Sequence, residues 1–257
     1  MNCKNCHTEL QEQDDYCRNC GGKVIRQRLS FKNLFEHLSE TFFNYDNKLL
    51  RTFTQLFAKP EEVVGDYIDG VRKKYVNPIS YLGIALTLTG IIIYLVKRSA
   101  LKINLDVFDQ GLSQNFMTKI QSFTTEYASI LFLSYIPLLV ISSWLIFKKR
   151  NYNSTERTVA FTYIMAQYSI ASILPSILIL LVAPQYYTSY SFFASIFLIL
   201  YLLWCLFKIS KLNGLNFIGH VMAFFSIFGI LYIIYIIGLL IIILLTGFLN
   251  LEDIAPK

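Results

Sequence analysis

Charged residues are scarce in this 257-residue sequence: Asp, Glu, Lys and Arg make up 16% of it, against about 25% in typical soluble proteins. The scarcity is uneven. Residues 1–78 hold 12 Lys+Arg and 11 Asp+Glu, whereas residues 79–257 hold 11 and 6. Apolar residues reach 54% of the chain, and the mean hydropathy is +0.48. This composition excludes a fully soluble protein, a disordered chain and a small secreted protein built on disulfides.

Catalytic motifs are also missing. The sequence contains no H-E-x-x-H, no G-x-S-x-G and no glycine-rich phosphate-binding loop. Its long apolar runs contain no Asp, Glu, Lys or Arg, and His220 is the one histidine in them. Because a lone histidine near a helix end is more often an interfacial hydrogen-bonding group than a base, we do not expect an enzyme.

The sequence favours neither a cleaved signal peptide nor a nucleic-acid partner. Its first thirty residues are polar, and the first long apolar run starts near Ile79. The net charge is +6, but residues 1–78 sum to only +1 with both signs interspersed. Most of the excess lies beside apolar runs, where it favours attraction to anionic membrane lipids and anchoring of helix ends. The residues concerned are Arg72, Lys73, Lys74, Lys148, Lys149, Arg150 and Arg157.

Apolar runs long enough to cross a membrane fill the rest of the chain. A bilayer core about 30 Å thick needs about 20 helical residues. We predict five spans, at 79–96, 128–147, 159–183, 192–207 and 217–249. The last would be about 50 Å long as a helix, so it tilts, protrudes, or breaks near Gly229 or Gly238 into a sixth segment. The predicted fold is an all-α polytopic membrane protein whose transmembrane helical bundle occupies residues 79–257.

The charges near the span ends predict the orientation. With the N-terminus in the cytosol, ten Lys and Arg residues lie on the inner side and five on the outer side. Because positively charged loops stay inside, a cytosolic N-terminus is expected. Lys97 and Arg98 lie on the outer side and argue the other way.

Residues 28–78 are predicted as amphipathic interfacial helices, because their apolar side chains recur every three or four positions. One helix is predicted over 31–45 and a second over 49–57. A third begins at Pro60, a residue that suits the first helical turn, and two glutamates follow it at the positive end of the helix dipole. Gly70 is its expected C-terminal cap.

Four of the five cysteines form two C-x2-C pairs: Cys3 with Cys6, and Cys17 with Cys20. Four thiolates about 2.3 Å from one ion satisfy the tetrahedral preference of zinc, so residues 1–27 are predicted to form a zinc ribbon with one structural Zn²⁺. Iron, two disulfides and a redox pair are the alternatives. A cytosolic location argues against disulfides, and the lack of a βαβ context argues against redox chemistry.

The residues after each cysteine pair support this interpretation. Gly21 and Gly22 allow the positive φ that turns backbone N–H groups toward sulfur. His7 stands at the corresponding place after the first pair, where histidine is tolerated because it is enriched at positive φ. His7 would bind the metal only by displacing a cysteine. Cys205 lies in an apolar run, where a buried packing role is expected.

The sequence resembles a family of bacterial membrane proteins of unknown function. The resemblance rests on the ribbon cysteines, on Thr52, Leu56 and Pro60, and on the segment Tyr67–Pro78 before the first span. It implies an N-terminal zinc ribbon, a short amphipathic region and a multi-span bundle in the inner membrane, without an established activity. The chain departs from the family pattern at Val71, where similar proteins have lysine, and at His7, where they have glycine.

Within that segment, Arg72, Lys73 and Lys74 are expected at the depth of the lipid headgroups, with Tyr75 as an interfacial anchor. One interpretation is a hinge or lipid-binding site between the ribbon and the bundle. The other is an anchor that only fixes the topology.

Polar residues in the third span suggest a second function. Tyr163, Gln167 and Tyr168 would line a polar seam, as in a transporter or channel for a small solute or lipid. Alternatively, Gln167 makes an interhelical hydrogen bond within a tightly packed bundle. The favoured hypothesis is a non-enzymatic adaptor or scaffold whose ribbon recruits a protein partner or senses the membrane surface. The sequence leaves a homo-oligomer open.

Overall fold

A computed structural model describes the chain in two compact units, Met1–Asn47 and Lys48–Lys257. The described residues are 2–3, 5–21, 24, 48–99, 103, 114–147, 152–212 and 214–248. The helix expected over 31–45 lies outside them, as do Lys148, Lys149 and Arg150.

The described part of the first unit, residues 2–3, 5–21 and 24, is organised around its cysteines. Cys3, Leu10 and Cys17 are buried together, with Cys6 and Val24 packed against them. A single antiparallel bridge joins Asn2 to Glu9. Among these described residues the apolar core is small, which is typical of segments that take folding free energy from a bound metal.

The second unit contains five helices that are long and apolar enough to cross a membrane. They are α3 (Pro78–Ser99), α5 (Ala128–Ile146), α6 (Ser154–Val182), α7 (Tyr187–Ser210) and α8 (Gly214–Leu245). No strand occurs among the described residues. The chain is therefore an all-α polytopic membrane protein, as the sequence predicts.

Shorter helices lie between and before the spans. Residues 48–58 form α1, followed by α2 (Pro60–Ile68). As expected, α2 starts at the proline, and Gly70 follows it with a φ of 92°. A further helix, α4 (Gln114–Glu126), precedes α5, and a short 3-10 helix (Pro184–Tyr186) precedes α7.

The last span is one continuous helix. α8 runs through Gly229 and Gly238 for 32 residues, about 48 Å at 1.5 Å per residue. Its excess over the thickness of a bilayer core, about 30 Å, is taken up by tilt or protrusion, not by a break. Pro137 and Pro175 lie inside α5 and α6, which continue past them.

The central helix of the bundle is α6. Three spans, α3, α5 and α7, pack on it, and α8 packs on α5. Small side chains on α6 are buried at these contacts, among them Ala160, Ala166, Ser169 and Ser176. Small residues let helix backbones approach closely, which is how membrane helices associate without a hydrophobic driving force.

Candidate functional site

The four N-terminal cysteines converge. Their Sγ atoms all lie within 4.8 Å of one another. Cys3 and Cys20 are 3.7 Å apart, and Cys6 and Cys17 are 3.5 Å apart, measured between Sγ atoms. A tetrahedron of sulfur atoms about 2.3 Å from a central ion has edges of about 3.8 Å, so this cluster can hold a metal ion.

The two cysteine pairs have the same local fold. His7 donates its backbone N–H to the Cys3 carbonyl at 2.9 Å, and Gly21 donates to the Cys17 carbonyl at the same distance. In both turns the donor lies four residues after the acceptor. The backbone φ is 59° at His7 and 68° at Gly21. The positive φ expected after each pair is confirmed, and Gly22 lies outside the described residues. Histidine accepts this conformation, but glycine does so without strain.

Hydrogen bonds to sulfur tune the cluster. The Thr8 hydroxyl, 3.2 Å from the Cys6 Sγ, and the Thr8 backbone N–H lower the pKa of Cys6 to about 6. The Cys20 and Asn19 backbone N–H groups favour the Cys17 thiolate, but desolvation and neighbouring sulfur atoms outweigh them. The pKa of Cys17 is therefore raised to about 11. Sulfur atoms this close resist carrying four negative charges, which a divalent cation would offset.

The geometry separates the alternatives for these cysteines. The four are free thiols, and their sulfur atoms lie much farther apart than the length of a disulfide bond, which is about 2 Å. The cluster consists of the four cysteines, and His7 is not part of it. Four sulfur ligands close a tetrahedral site and leave no position for substrate, so the arrangement suits a structural metal.

The basic segment, residues 69–77 between α2 and α3, is folded onto the protein. Lys74 Nζ lies 2.7 Å from an Asp66 carboxylate oxygen, a contact that raises the lysine pKa. The Arg72 guanidinium stacks 5.6 Å from the centre of the Tyr67 ring. Tyr75, expected as an interfacial anchor, is instead 4% exposed, because its ring packs into the protein core. Lipid contact by Arg72, Lys73 and Lys74, all exposed, stays a prediction.

The polar residues of α6 hold neighbouring segments. Gln167 is fully buried, accepts a hydrogen bond from the Tyr81 hydroxyl and donates to the Phe53 carbonyl at 2.9 Å. The Tyr163 hydroxyl donates to the Val76 carbonyl at 2.7 Å. The structure thus has the interhelical hydrogen bond that was the alternative to a polar seam.

Tyr168 has a different role. It packs its ring 6.4 Å from that of Phe197, on α7. The three residues proposed for a seam therefore make separate contacts: two hold polypeptide carbonyls, and the third packs against another aromatic ring.

Two residues of α7 also hold α1 against the bundle. The Tyr201 hydroxyl donates to the Leu56 carbonyl, and Trp204 Nε1 donates to the Phe57 carbonyl, each at 3.0 Å. The last carbonyls of a helix have no partner within it. The bundle supplies donors to the end of α1 and so fixes this helix against α7. Sequence reasoning did not find these residues, because no local pattern links positions so far apart in the chain.

The sequence predicts that Arg157 attracts anionic lipid and anchors a helix end, but the structure buries it, with 6% of its surface exposed. Its guanidinium donates to the carbonyls of Ser143, Phe147 and Tyr152 at 2.7–3.0 Å, and to the Ser143 hydroxyl at 2.7 Å. It thereby joins the end of α5 to the start of α6. One feature of the sequence could have indicated this role. A basic residue in the first turn of a helix is unfavourable next to the positive end of the helix dipole, so its presence there suggests that it binds other groups.

Comparison with known proteins adds a family over one segment. The family described as "Protein of unknown function (DUF3667)" matches residues 46–90. This segment covers α1, α2, the basic segment and the first half of α3. No curated protein matches the chain, and no solved structure does. The match agrees with the resemblance in the residues before the first span, and its description names no activity.

Proposed function

We propose that the N-terminal cluster binds one structural zinc ion. The support is the all-sulfur ligand set, the sulfur separations close to a tetrahedral edge, and the two matching backbone turns. Zinc suits such a closed site because it has no redox chemistry and accepts tetrahedral thiolates. Iron is the competing metal for the same four ligands, and elemental analysis distinguishes the two.

We further propose that the protein is a non-enzymatic membrane adaptor, with its N-terminus in the cytosol and its bundle in the inner membrane of a bacterium. The zinc module would recruit a protein partner, and membrane lipids would surround the bundle. The observation that carries this proposal is that protein groups engage both ends of the Gln167 amide. A buried amide that could have lined a pathway is engaged by Tyr81 and Phe53, and it fixes α1 to the bundle.

The attachment of α1 and the basic segment suits an adaptor for a physical reason. Side chains from α3, α6 and α7 hold these two segments. On α6, Gln167 and Tyr163 donate directly to their carbonyls, and Tyr81 on α3 supports Gln167. On α7, Tyr201 and Trp204 donate to carbonyls of α1. A segment fixed at this many points moves together with the bundle that follows it.

Affinity purification from membranes in mild detergent tests the adaptor proposal. We expect a stoichiometric partner with the wild-type chain, and its loss when Cys17 and Cys20 are both changed to serine. Cys205→Ser is the matched control, because it makes the same chemical change at a buried site in α7. A partner list that is the same for all three proteins contradicts recruitment through the ribbon.

Reconstitution into liposomes tests the competing function. An adaptor gives neither solute flux nor lipid scrambling above that of empty vesicles. Flux or scrambling that Gln167→Leu reduces would instead favour a transporter that uses α6.

A further inference from the structure

A cavity of about 310 Å³ lies within the second unit, at the end of the bundle where α3 ends and α5 and α7 begin. Its described lining comes mainly from α3, α4 and α7. Ile103, which follows α3, and Ala128, the first residue of α5, complete it. Pockets that bind small ligands start at about 300 Å³, so the cavity has room for a small molecule or for the headgroup of a lipid.

The cavity begins near the lipid headgroups and extends into the membrane. The ends of membrane spans lie at headgroup depth, and Tyr187 is the first residue of α7. Thr89 lines the cavity farther in, about 15 Å along α3 from Ser99, the last residue of that helix. Thr124, on α4, is exposed, so a ligand can reach the cavity from outside the bundle.

The lining is polar but carries no formal charge. Among the described residues that line the cavity, none is Asp, Glu, Lys, Arg or His. Seven carry a hydroxyl or an amide, namely four threonines, Ser191, Gln121 and Tyr187, and the other five are aliphatic. Because an ion that leaves water without an opposite charge loses much solvation free energy, this lining disfavours a charged ligand.

Three hydroxyls of the lining donate to their own helices. The Ser191 hydroxyl donates to the Tyr187 carbonyl at 2.9 Å. On α4, the Thr124 hydroxyl donates to the Ile120 carbonyl at 2.9 Å, and the Thr125 hydroxyl donates to a carbonyl of the same turn. A hydroxyl has one proton and two lone pairs, so each of these oxygen atoms can still accept a hydrogen bond. They therefore offer acceptors to a ligand.

Two other side chains of the lining can donate. Among the described residues, neither the Gln121 side-chain amide nor the Tyr187 hydroxyl has a hydrogen-bond partner. The amide has two N–H donors and one carbonyl acceptor, and the phenol has one O–H donor. A ligand that fits this lining needs donors and acceptors but no charge. Alcohol hydroxyl groups have both in one small group.

We propose that this cavity binds an uncharged polyhydroxylated group, the chemistry shared by a free sugar and the sugar headgroup of a glycolipid. The three hydroxyl oxygens accept hydrogen bonds from it, and Gln121 and Tyr187 donate to it. The aliphatic side chains of α3, Ile92, Ile93 and Val96, pack against its C–H groups. The site uses none of the four clustered cysteines, so the zinc and adaptor proposals do not depend on it.

Native mass spectrometry of the full chain tests this site. An oxyethylene detergent is required, because maltoside detergents carry the sugar chemistry under test. The probes are glucosyl-diacylglycerol, phosphatidylcholine with the same acyl chains, and glucose. We expect one glucosyl-diacylglycerol per chain, retained about tenfold more tightly than phosphatidylcholine, since one or two uncharged hydrogen bonds amount to this factor.

Glucose distinguishes the two sources of the sugar. Displacement of the glycolipid by millimolar glucose would show that the free sugar is sufficient for binding. Retention of the glycolipid in excess glucose would show that the sugar is bound as part of a lipid. Both results support a site for polyhydroxylated groups.

Variants of the lining locate the binding. Ser191→Phe fills the cavity from α7 and should lower glycolipid retention to that of phosphatidylcholine. Ser195→Phe is the matched control, because it makes the same change one turn later on α7, where the serine is exposed and outside the lining. Gln121→Leu removes the amide and should weaken retention about fivefold. Gln185→Leu is its control at an exposed glutamine outside the lining.

Three outcomes would overturn the proposal. The first is equal retention of the two lipids by the wild type, with no binding of glucose. The second is glycolipid retention in Ser191→Phe that equals retention in Ser195→Phe. The third, which decides the matter if Ser191→Phe does not fold, is unchanged retention in Gln121→Leu.

Discussion

The hydroxyl of Thr52 accepts a hydrogen bond from the backbone N–H of Val76 at 3.0 Å. The same hydroxyl donates to the Lys48 carbonyl at 2.7 Å, so it acts both as a hydrogen-bond donor and as an acceptor. Thr52 is fully buried, and Val76 is 4% exposed. One side chain in α1 thus satisfies a buried backbone donor just before α3. This hydrogen bond links the two ends of the stretch that contains α2 and the basic segment. Both residues lie in the segment that the family matches.

Thr52→Val should destabilise the protein. Valine has nearly the shape of threonine but no hydroxyl, so the Val76 N–H would be left buried without its partner. Such a group costs about 1–3 kcal/mol of unfolding free energy. Equilibrium unfolding in mixed detergent micelles measures this loss.

Thr54→Val is the matched control for this change. Thr54 is exposed on the same helix, and its hydroxyl contacts only the Leu50 and Arg51 carbonyls of that helix. Its substitution should stay within about 0.5 kcal/mol of the wild type. Equal losses for the two variants would show that Thr52 does not act through Val76.

Gln167→Leu should loosen α1. Leucine cannot accept from the Tyr81 hydroxyl or donate to the Phe53 carbonyl, so two groups lose a partner. We expect faster hydrogen exchange at the backbone amides of 48–58, with the middle of α8 unchanged because α8 packs on α5. Exchange followed by mass spectrometry resolves the two regions.

A less disruptive change separates this hydrogen bond from packing. Tyr81→Phe keeps the ring and removes only the hydroxyl, and it should reproduce part of the effect. Tyr94→Phe makes the same change at a tyrosine that is 62% exposed on the same helix, and it should have no effect. Unaltered exchange at 48–58 in Gln167→Leu would contradict the attachment.

The five membrane helices follow from length and composition. A helix in lipid must satisfy its own backbone and present about 20 apolar residues, and both requirements act on contiguous sequence. The cysteine cluster is equally local, because two short turns each bring two sulfur atoms together. Pro60 and Gly70 act through backbone geometry within a few residues.

Contacts between distant segments could not be predicted in this way. Gln167 bonds to a carbonyl 114 residues earlier, and either solute or protein could have engaged its amide. The charge of Arg157 suggested a lipid-attracting anchor, whereas its burial depends on contacts with Ser143 and Phe147 at the end of α5. Tyr75 has the amphipathic character of an interfacial anchor, but the fold of the basic segment turns it inward.

Removal of the metal should unfold the segment that carries the four cysteines and leave the bundle intact. Among the described residues of this segment, the few that are buried around Cys3, Leu10 and Cys17 make a core too small to stand alone. Elemental analysis should give about one zinc per chain. Chelation should expose residues 1–24 to protease while the fragment from Lys48 onward resists.

The metal content of cysteine variants tests whether the four sulfur atoms bind the ion. Cys17→Ser and Cys20→Ser should each lower the metal content well below one per chain, and Cys205→Ser should retain it. A zinc content that is the same in all three, or a purified chain without metal, would contradict the four-sulfur site.

The orientation of the chain can be measured at the two ends of α7. Gln185 precedes this helix and Lys211 follows it, and both side chains are exposed. If the N-terminus is cytosolic, alternation of the five spans puts Gln185 outside and Lys211 inside. In a background with serine at the four ribbon positions, Gln185→Cys should react with an impermeant maleimide in intact cells. Lys211→Cys should react only after permeabilisation, and Cys205 should stay silent because it is fully buried. The reverse pattern would put the ribbon in an oxidising compartment, where disulfides become the expected state of its cysteines and the zinc and adaptor proposals lose their basis.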